Sequence, residues 1–189
     1  MGARAQSVEK TRRRILDSFF MLANQRMFWE ISLDDVASHA DVSVQTILRQ
    51  FGTRAGLVET TMEHALARVA EERATPVGDV DAALRVIVDH YEHRGQTALL
   101  MLAQETADPQ VAAITERGRR LHRSWVEEVF APYIGRHRII VDLLVVATDV
   151  YTWKLLRRDR GLTRAQTERR MKALVDAVLA TRTSKEGSP

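Results

Sequence analysis

Between Ser32 and Phe51 the chain places two short amphipathic helices on either side of a break too tight for one to run into the other. Ser32, with Asp35 three residues on, forms a capping box: the hydroxyl accepts from an early backbone N–H and the carboxylate reaches back to the cap. Leu33, Val36, Ala37 and Ala40 follow as one inner face. The break is Asp41-Val42-Ser43. Aspartate tolerates left-handed backbone better than most residues other than glycine. Ser43 is a good N-cap for a helix from Val44 to Gln50. Gly52-Thr53 interrupts the chain again, and Thr53 can cap a further helix to about Ala74.

An earlier helix is predicted from Val8 to Gln25, where Ile15, Leu16, Phe19, Phe20, Leu22 and Ala23 recur at helical spacing. Three short helices in this order predict a tri-helical head with a short third helix offered end-on to a DNA major groove. Ile47 and Phe51, four apart, turn inward and leave Val44, Gln45, Thr46, Arg49 and Gln50 outward or flanking. Glutamine pairs bidentately with adenine and arginine with guanine, while valine or threonine meets a thymine methyl. Base reading is therefore expected from Gln45 and Arg49. Contacts to the DNA backbone are expected from Lys10, Ser32, Thr53 and Arg54, with Ser43 beside them at the helix start. Residues 1–14 carry Arg4, Lys10, Arg12, Arg13 and Arg14 against Glu9, a basic arm suited to phosphates.

Thr11 to Val58 resembles the DNA-binding domain of the TetR family of bacterial regulators. The matching elements are Thr-Arg-x-x-Ile-Leu-Asp from Thr11, Ser-Leu-Asp-Asp-Val-Ala from Ser32, Ala-x-Val-Ser at the turn, Thr46-Ile47 with Phe51, and Leu57. The resemblance implies a homodimer in which the last two helices of each subunit form a four-helix bundle. It also implies a small-molecule pocket in the larger domain, whose filling shifts the spacing of the two heads and releases DNA. Where the family usually has glycine at the turn, this chain has Asp41. Where it often has tyrosines, this chain has Leu48 and Gln50, and Arg54 stands for the usual lysine.

Thr75-Pro76-Val77-Gly78 is the clearest linker. Helices are predicted beyond it at 80–93, 97–106, 109–131, 138–159 and 164–181, the last opening on a capping box of Thr163 and Gln166. The fold expected is all-α, with about nine helices: a DNA-binding domain over 1–56 and a ligand-binding and dimerisation domain over 57–189. Helix 138–159 is apolar almost all round and needs cover on two sides, which predicts a homodimer through 138–159 and 164–181. Two heads would then meet successive major grooves, about 34–36 Å apart, on a palindromic operator. Candidate lining for an effector cavity is Tyr91, Met101, Trp125, Tyr151 and Trp153, with His90, Thr148 and Asp149 as polar anchors. The tail from Thr183 to Pro189, small and polar, reads as a frayed end.

The sequence has no cysteine, which excludes disulfides, thiolate zinc sites and cysteine nucleophiles. Ile139 to Leu156 is broken by Asp142, Asp149 and Lys154 and reads as a buried helix, not a membrane span. A soluble, cytoplasmic protein is expected. An enzyme is the main rival class, but there is no glycine-rich phosphate loop, and His90 and His93 lack a third metal ligand, so no catalytic residue, metal or cofactor is assigned. A helical scaffold, the second rival, leaves the polar, capped third helix without a purpose.

Overall fold

The computed structural model describes residues 2–135 and 138–183. Those residues form an all-α structure with no strand among them, and no helix is long and apolar enough to cross a membrane. The chain divides into two compact units: 1–68 with 100–114, and 69–99 with 115–189.

The first unit contains α1 (Ala3–Ala23), α2 (Leu33–Ala40) and α3 (Val44–Phe51), with a 3₁₀ turn at Phe28–Glu30. α1 begins at Ala3, so the basic segment expected as an arm is helix; no proline or glycine interrupts 3–23. The next helix, α4 (Arg54–Glu72), supplies residues to both units. The boundary drawn from sequence after Gly56 thus falls inside α4, whose Leu57, Val58 and Met62 are buried in the first unit's core. That core is apolar: Ile15, Phe19, Phe28, Val36 and Ile47 meet Leu57 and Val111, and Phe19 packs edge-on to Phe28 at 5.7 Å.

α5 (Val80–Leu102) is one helix where two were predicted. Gly95 does not break it; its bare Cα lets the Trp153 ring approach so closely that a Cβ there would lie 2.6 Å from Cζ3. α6 (Pro109–Val129) is followed by the short α7 (Ala131–Ile134). The helix predicted over 138–159 is instead α8 (Arg138–Ala147) and α9 (Val150–Lys154), continued by a wider π-type turn over Leu155–Asp159. The division falls at Thr148-Asp149 because the Asp149 carboxylate accepts from the Tyr151 N–H at 2.8 Å and starts a new helix. α10 (Arg164–Thr183) lies against α8 and is opened by the Thr163/Gln166 box read from sequence. The tail beyond Thr183 lies outside the described residues.

Candidate nucleic-acid interface

The turn between α2 and α3 is set by side chains that satisfy helix ends. Ser32 Oγ accepts from the Asp35 N–H at 3.1 Å, and Asp35 Oδ2 accepts from the Ser32 N–H at 2.9 Å and from its hydroxyl at 2.6 Å. Those bonds from Ser32 hold the Asp35 carboxyl below its ordinary pKa, aided by Arg26. Asp41 closes α2 at φ 50°, ψ 55° in the left-handed region, and among the described residues no other non-glycine has positive φ. Ser43 Oγ accepts from the Thr46 N–H at 3.2 Å and caps α3.

α3 has eight residues and two unlike faces. Ile47 is wholly buried, and Val44, Phe51 and Gln50 are partly covered. Gln45, Leu48 and Arg49 are exposed on the opposite side, at the i, i+3, i+4 spacing that puts side chains on one helix face. The structure therefore exposes the two expected base readers. Gln50 is different: its Oε1 is buried without a hydrogen-bond partner, and its backbone carbonyl accepts from Arg12 Nη1 at 3.4 Å.

Basic residues of the head reach inward more than the sequence suggests. The Arg12 guanidinium lies 4.7 Å from the Phe51 ring centroid, so it covers the end of α3 and offsets its C-terminal dipole. Arg14 Nη2 donates to the Asp41 carbonyl at 3.2 Å. Arg54, expected to face a phosphate, instead donates from Nε to the Ile31 carbonyl at 2.8 Å and from Nη2 to the Phe28 carbonyl. Its fork ties α4 to the 3₁₀ turn before α2. The hydroxyls of Ser32, Ser43 and Thr53 are caps, Thr53 Oγ1 accepting from the Gly56 N–H at 3.0 Å, and Thr46 Oγ1 pairs with Ser43 Oγ at 2.9 Å. Lys10 is exposed on α1. Sequence reasoning missed these inward bonds and the Gln104 side chain, whose Oε1 accepts from the Phe28 N–H at 2.8 Å across a separation no local pattern signals.

The residues proposed from sequence to line an effector cavity are largely woven into the second unit's interior. Tyr91 is buried and donates its hydroxyl to the Thr148 carbonyl at 3.0 Å; Trp125 Nε1 donates to the Arg73 carbonyl at 2.9 Å; Trp153 Nε1 donates to Glu92 at 3.0 Å. Thr148 is buried, Asp149 caps α9, and Tyr151 is exposed. Met101 belongs to the first unit, packed on the core of the head. In the second unit Arg73, a residue without any sequence signal, is buried with its Nε unpartnered. Burial lowers the Arg73 pKa from its ordinary value.

His122 orders the groups beside it. Arg73 Nη1 lies 3.5 Å from His122 Nδ1, and an arginine only donates, so Nδ1 is the bare nitrogen and Nε2 carries the proton toward Thr148 Oγ1 at 3.2 Å. Thr148 in turn donates its hydroxyl to the Leu144 carbonyl at 2.7 Å. Burial, with Arg73 adding to it, drives the His122 pKa down to about 4, and burial with Arg73 and Arg94 drives His90 down to about 2. Glu72 Oε2 stands 3.8 Å from His90 Nδ1, but Arg94 engages that carboxylate at 2.5 Å, so His90 stays neutral and no ion pair forms. His90, alone of the proposed ligand residues, lines a cleft of 490 Å³ with Glu72, Val86, Asp89, His93 and Arg94. Among the described residues no cluster of three or more histidine, aspartate or glutamate side chains is placed to hold a metal.

No family model and no curated protein matches the chain. Solved structures do. A TetR-family transcriptional regulator from Streptomyces coelicolor superposes with a TM-score of 0.73 at 18% identity, covering 98% of this chain and 85% of that one. This chain has the TetR-family fold. A transcriptional regulator from Rhodococcus sp. RHA1 matches at TM-score 0.70 and 16% identity over 90% of this chain and 96% of its own. A TetR-family protein from Mesorhizobium loti matches at 0.65 and 14% over 92% and 97%. The likeness extends over most of each chain, well beyond the Thr11–Val58 segment whose motifs carried the resemblance in sequence.

Proposed function

We propose that this TetR-like chain is a sequence-specific DNA-binding transcriptional regulator that acts as a homodimeric repressor. The observation that carries the reading is α3: a short, Ser43-capped helix whose exposed face carries Gln45 and Arg49 while its other face is locked into an apolar core. Gln45 and Arg49 read base edges in the major groove. Lys10 and Thr53 meet phosphates at the flanks, and Arg54 works from behind by holding the 3₁₀ turn in place. Selection from random DNA with the purified protein tests this. Enrichment of a palindrome that is lost in Gln45→Ala/Arg49→Ala supports it; no enrichment above that double variant overturns it.

Dimerisation is supported by an apolar row that the single chain leaves in solvent. Ile139, Leu143 and Val146 repeat at helical spacing on the outer side of α8, with Val146 63% exposed, and Leu174 is exposed on the neighbouring α10. A second copy covers this row in the reading proposed here, giving the two-fold symmetry that a palindrome requires. Light scattering at micromolar concentration should give the mass of a dimer, and Val146→Glu should give that of a monomer. A wild-type monomer removes the dimer. An effector that releases DNA is the remaining part of the reading; it is supported by the TetR-like architecture and by the cleft at His90.

A further inference from the structure

We infer that Leu48 is a specificity residue of α3, reading thymine through its C5-methyl group; this rests on the DNA-binding reading above. Leu48 is 41% exposed and lies at the middle of the outer face of α3, between Gln45 one turn before it and Arg49 beside it. It contributes nothing to the apolar core, which α3 enters through Ile47 with Val44 and Phe51 packed on its edge. A lone exposed leucine is ordinary on a protein surface. Here, however, it occupies the one face that the head turns outward on an eight-residue helix, and its neighbours there are an amide and a guanidinium.

The chemistry narrows what such a side chain can recognise. Leucine has neither donor nor acceptor, so it makes no hydrogen bond to a phosphate or to a base edge. In the major groove the apolar feature of an unmodified base pair is the thymine C5-methyl. A leucine held there gains by shielding that methyl from water. It loses by facing a cytosine amino group or a guanine acceptor, which it would desolvate without pairing. Gln45, Leu48 and Arg49 thus form a three-residue reading face in which the middle contact is apolar. The half-site should contain a thymine next to positions that answer to an amide or a guanidinium.

The experiment uses the full chain and the duplex it selects from random DNA. Each thymine is replaced in turn by uracil at the symmetric position of both half-sites at once, which keeps every hydrogen bond and removes only the methyl. For the wild type, one symmetric pair of thymines should lose about fourfold in affinity per half-site, roughly sixteenfold for the pair, the effect of one buried methyl-sized group in each subunit. Leu48→Ala should bind the thymine duplex about as weakly as the wild type binds the uracil duplex, and should not distinguish the two. Leu48→Met, which keeps an apolar side chain, should retain the discrimination, and this separates contact from folding. Uracil effects that are equal in the wild type and Leu48→Ala at every position, or selected half-sites without thymine, overturn the inference while DNA binding stands. Failure to bind any selected DNA overturns both.

Discussion

In the first unit the charged side chains stay near the surface and reach inward for backbone carbonyls; in the second a guanidinium, a phenol and two imidazoles are buried together. Arg12, Arg14 and Arg54 each end on a main-chain oxygen, of Gln50, Asp41 and Phe28 or Ile31, while the core beneath them is Ile15, Phe19, Val36, Ile47 and Leu57. Arg73, His90, Tyr91 and His122 are instead buried side by side, His90 alone of the four at the edge of a cleft. The head is therefore held by apolar packing and by guanidiniums that do not titrate near neutrality; its His39 and His64 are exposed, His39 bonded to the Ser18 hydroxyl. The body contains groups that bind protons when it unfolds. One chain thus has a part whose geometry should be indifferent to pH and a part whose stability should not be.

The largest expected effect breaks the packing side of the comparison. Phe19→Ala empties a fully buried site next to Phe28, at a cost of about 3–5 kcal/mol. Hydrogen exchange of α1 and α3 amides should report that loss, and it should be the same at pH 7 and pH 5. A penalty that grew markedly at acid pH would show that the head depends on a titrating group after all.

Arg54 comes next. Replacing it with lysine keeps the charge but cannot reproduce the two-pronged bond to Phe28 and Ile31, so about 1–3 kcal/mol of head stability should be lost. If Arg54→Lys instead melts like the wild type, the side chain is not the tie described here, and its role returns to the phosphate contact expected from sequence. The same residue shows where sequence reading stopped. Composition and periodicity supply the all-α class, the capped turn and the inner faces of α2 and α3, because these are set by neighbours within four residues. Asp41 in left-handed backbone and Ser43 as a cap are local in the same way. The direction in which Arg54 points depends on carbonyls 23 and 26 residues earlier, and the Gln104 bond to Phe28 spans 76. Tyr91, Trp125, Trp153 and Thr148 looked like pocket lining for the matching reason: an aromatic or hydroxyl on an apolar stripe has the same sequence pattern whether it faces a cavity or a partner such as Glu92.

Acid tests the body. Both imidazoles are neutral when folded, His122 with a pKa of about 4 and His90 of about 2, whereas an unfolded histidine takes up its proton near 6.5. Below that value the unfolded state binds more protons, so stability is full above about pH 6.5 and falls as pH drops toward the folded pKa. For His122 the window is roughly pH 6.5 to 4, with a loss of about 1–2 kcal/mol by pH 5. The fluorescence of the buried Trp125 and Trp153 can follow the melt of this unit. His122→Gln should remove roughly half of the pH dependence over that window, His90 keeping the rest, even though it weakens the chain to Arg73 and Thr148. Stability unchanged between pH 7 and pH 5 would mean that the imidazoles are not sealed from protons, and the contrast between the units would collapse.

The smallest expected effect lies at the turn itself and returns to the head. Asp41 holds φ 50°, a conformation that disfavours an L side chain, and its carboxylate stands at the C-terminal end of α2, where the helix dipole disfavours a negative charge. Glycine removes both penalties but adds the entropy of a freer unfolded chain, about 0.5–1 kcal/mol. The balance favours glycine by up to about 1 kcal/mol. The bond from Arg14 survives the change because it ends on the main-chain carbonyl. Asp41→Gly should therefore raise the stability of the head slightly at both pH 7 and pH 5, and under the proposed DNA-binding reading, removing a negative charge beside α3 should strengthen binding to all sequences alike without altering which is preferred. A change in sequence preference would place Asp41 among the reading residues; a loss of stability would mean that its carboxylate holds the turn in a way the backbone geometry does not reveal.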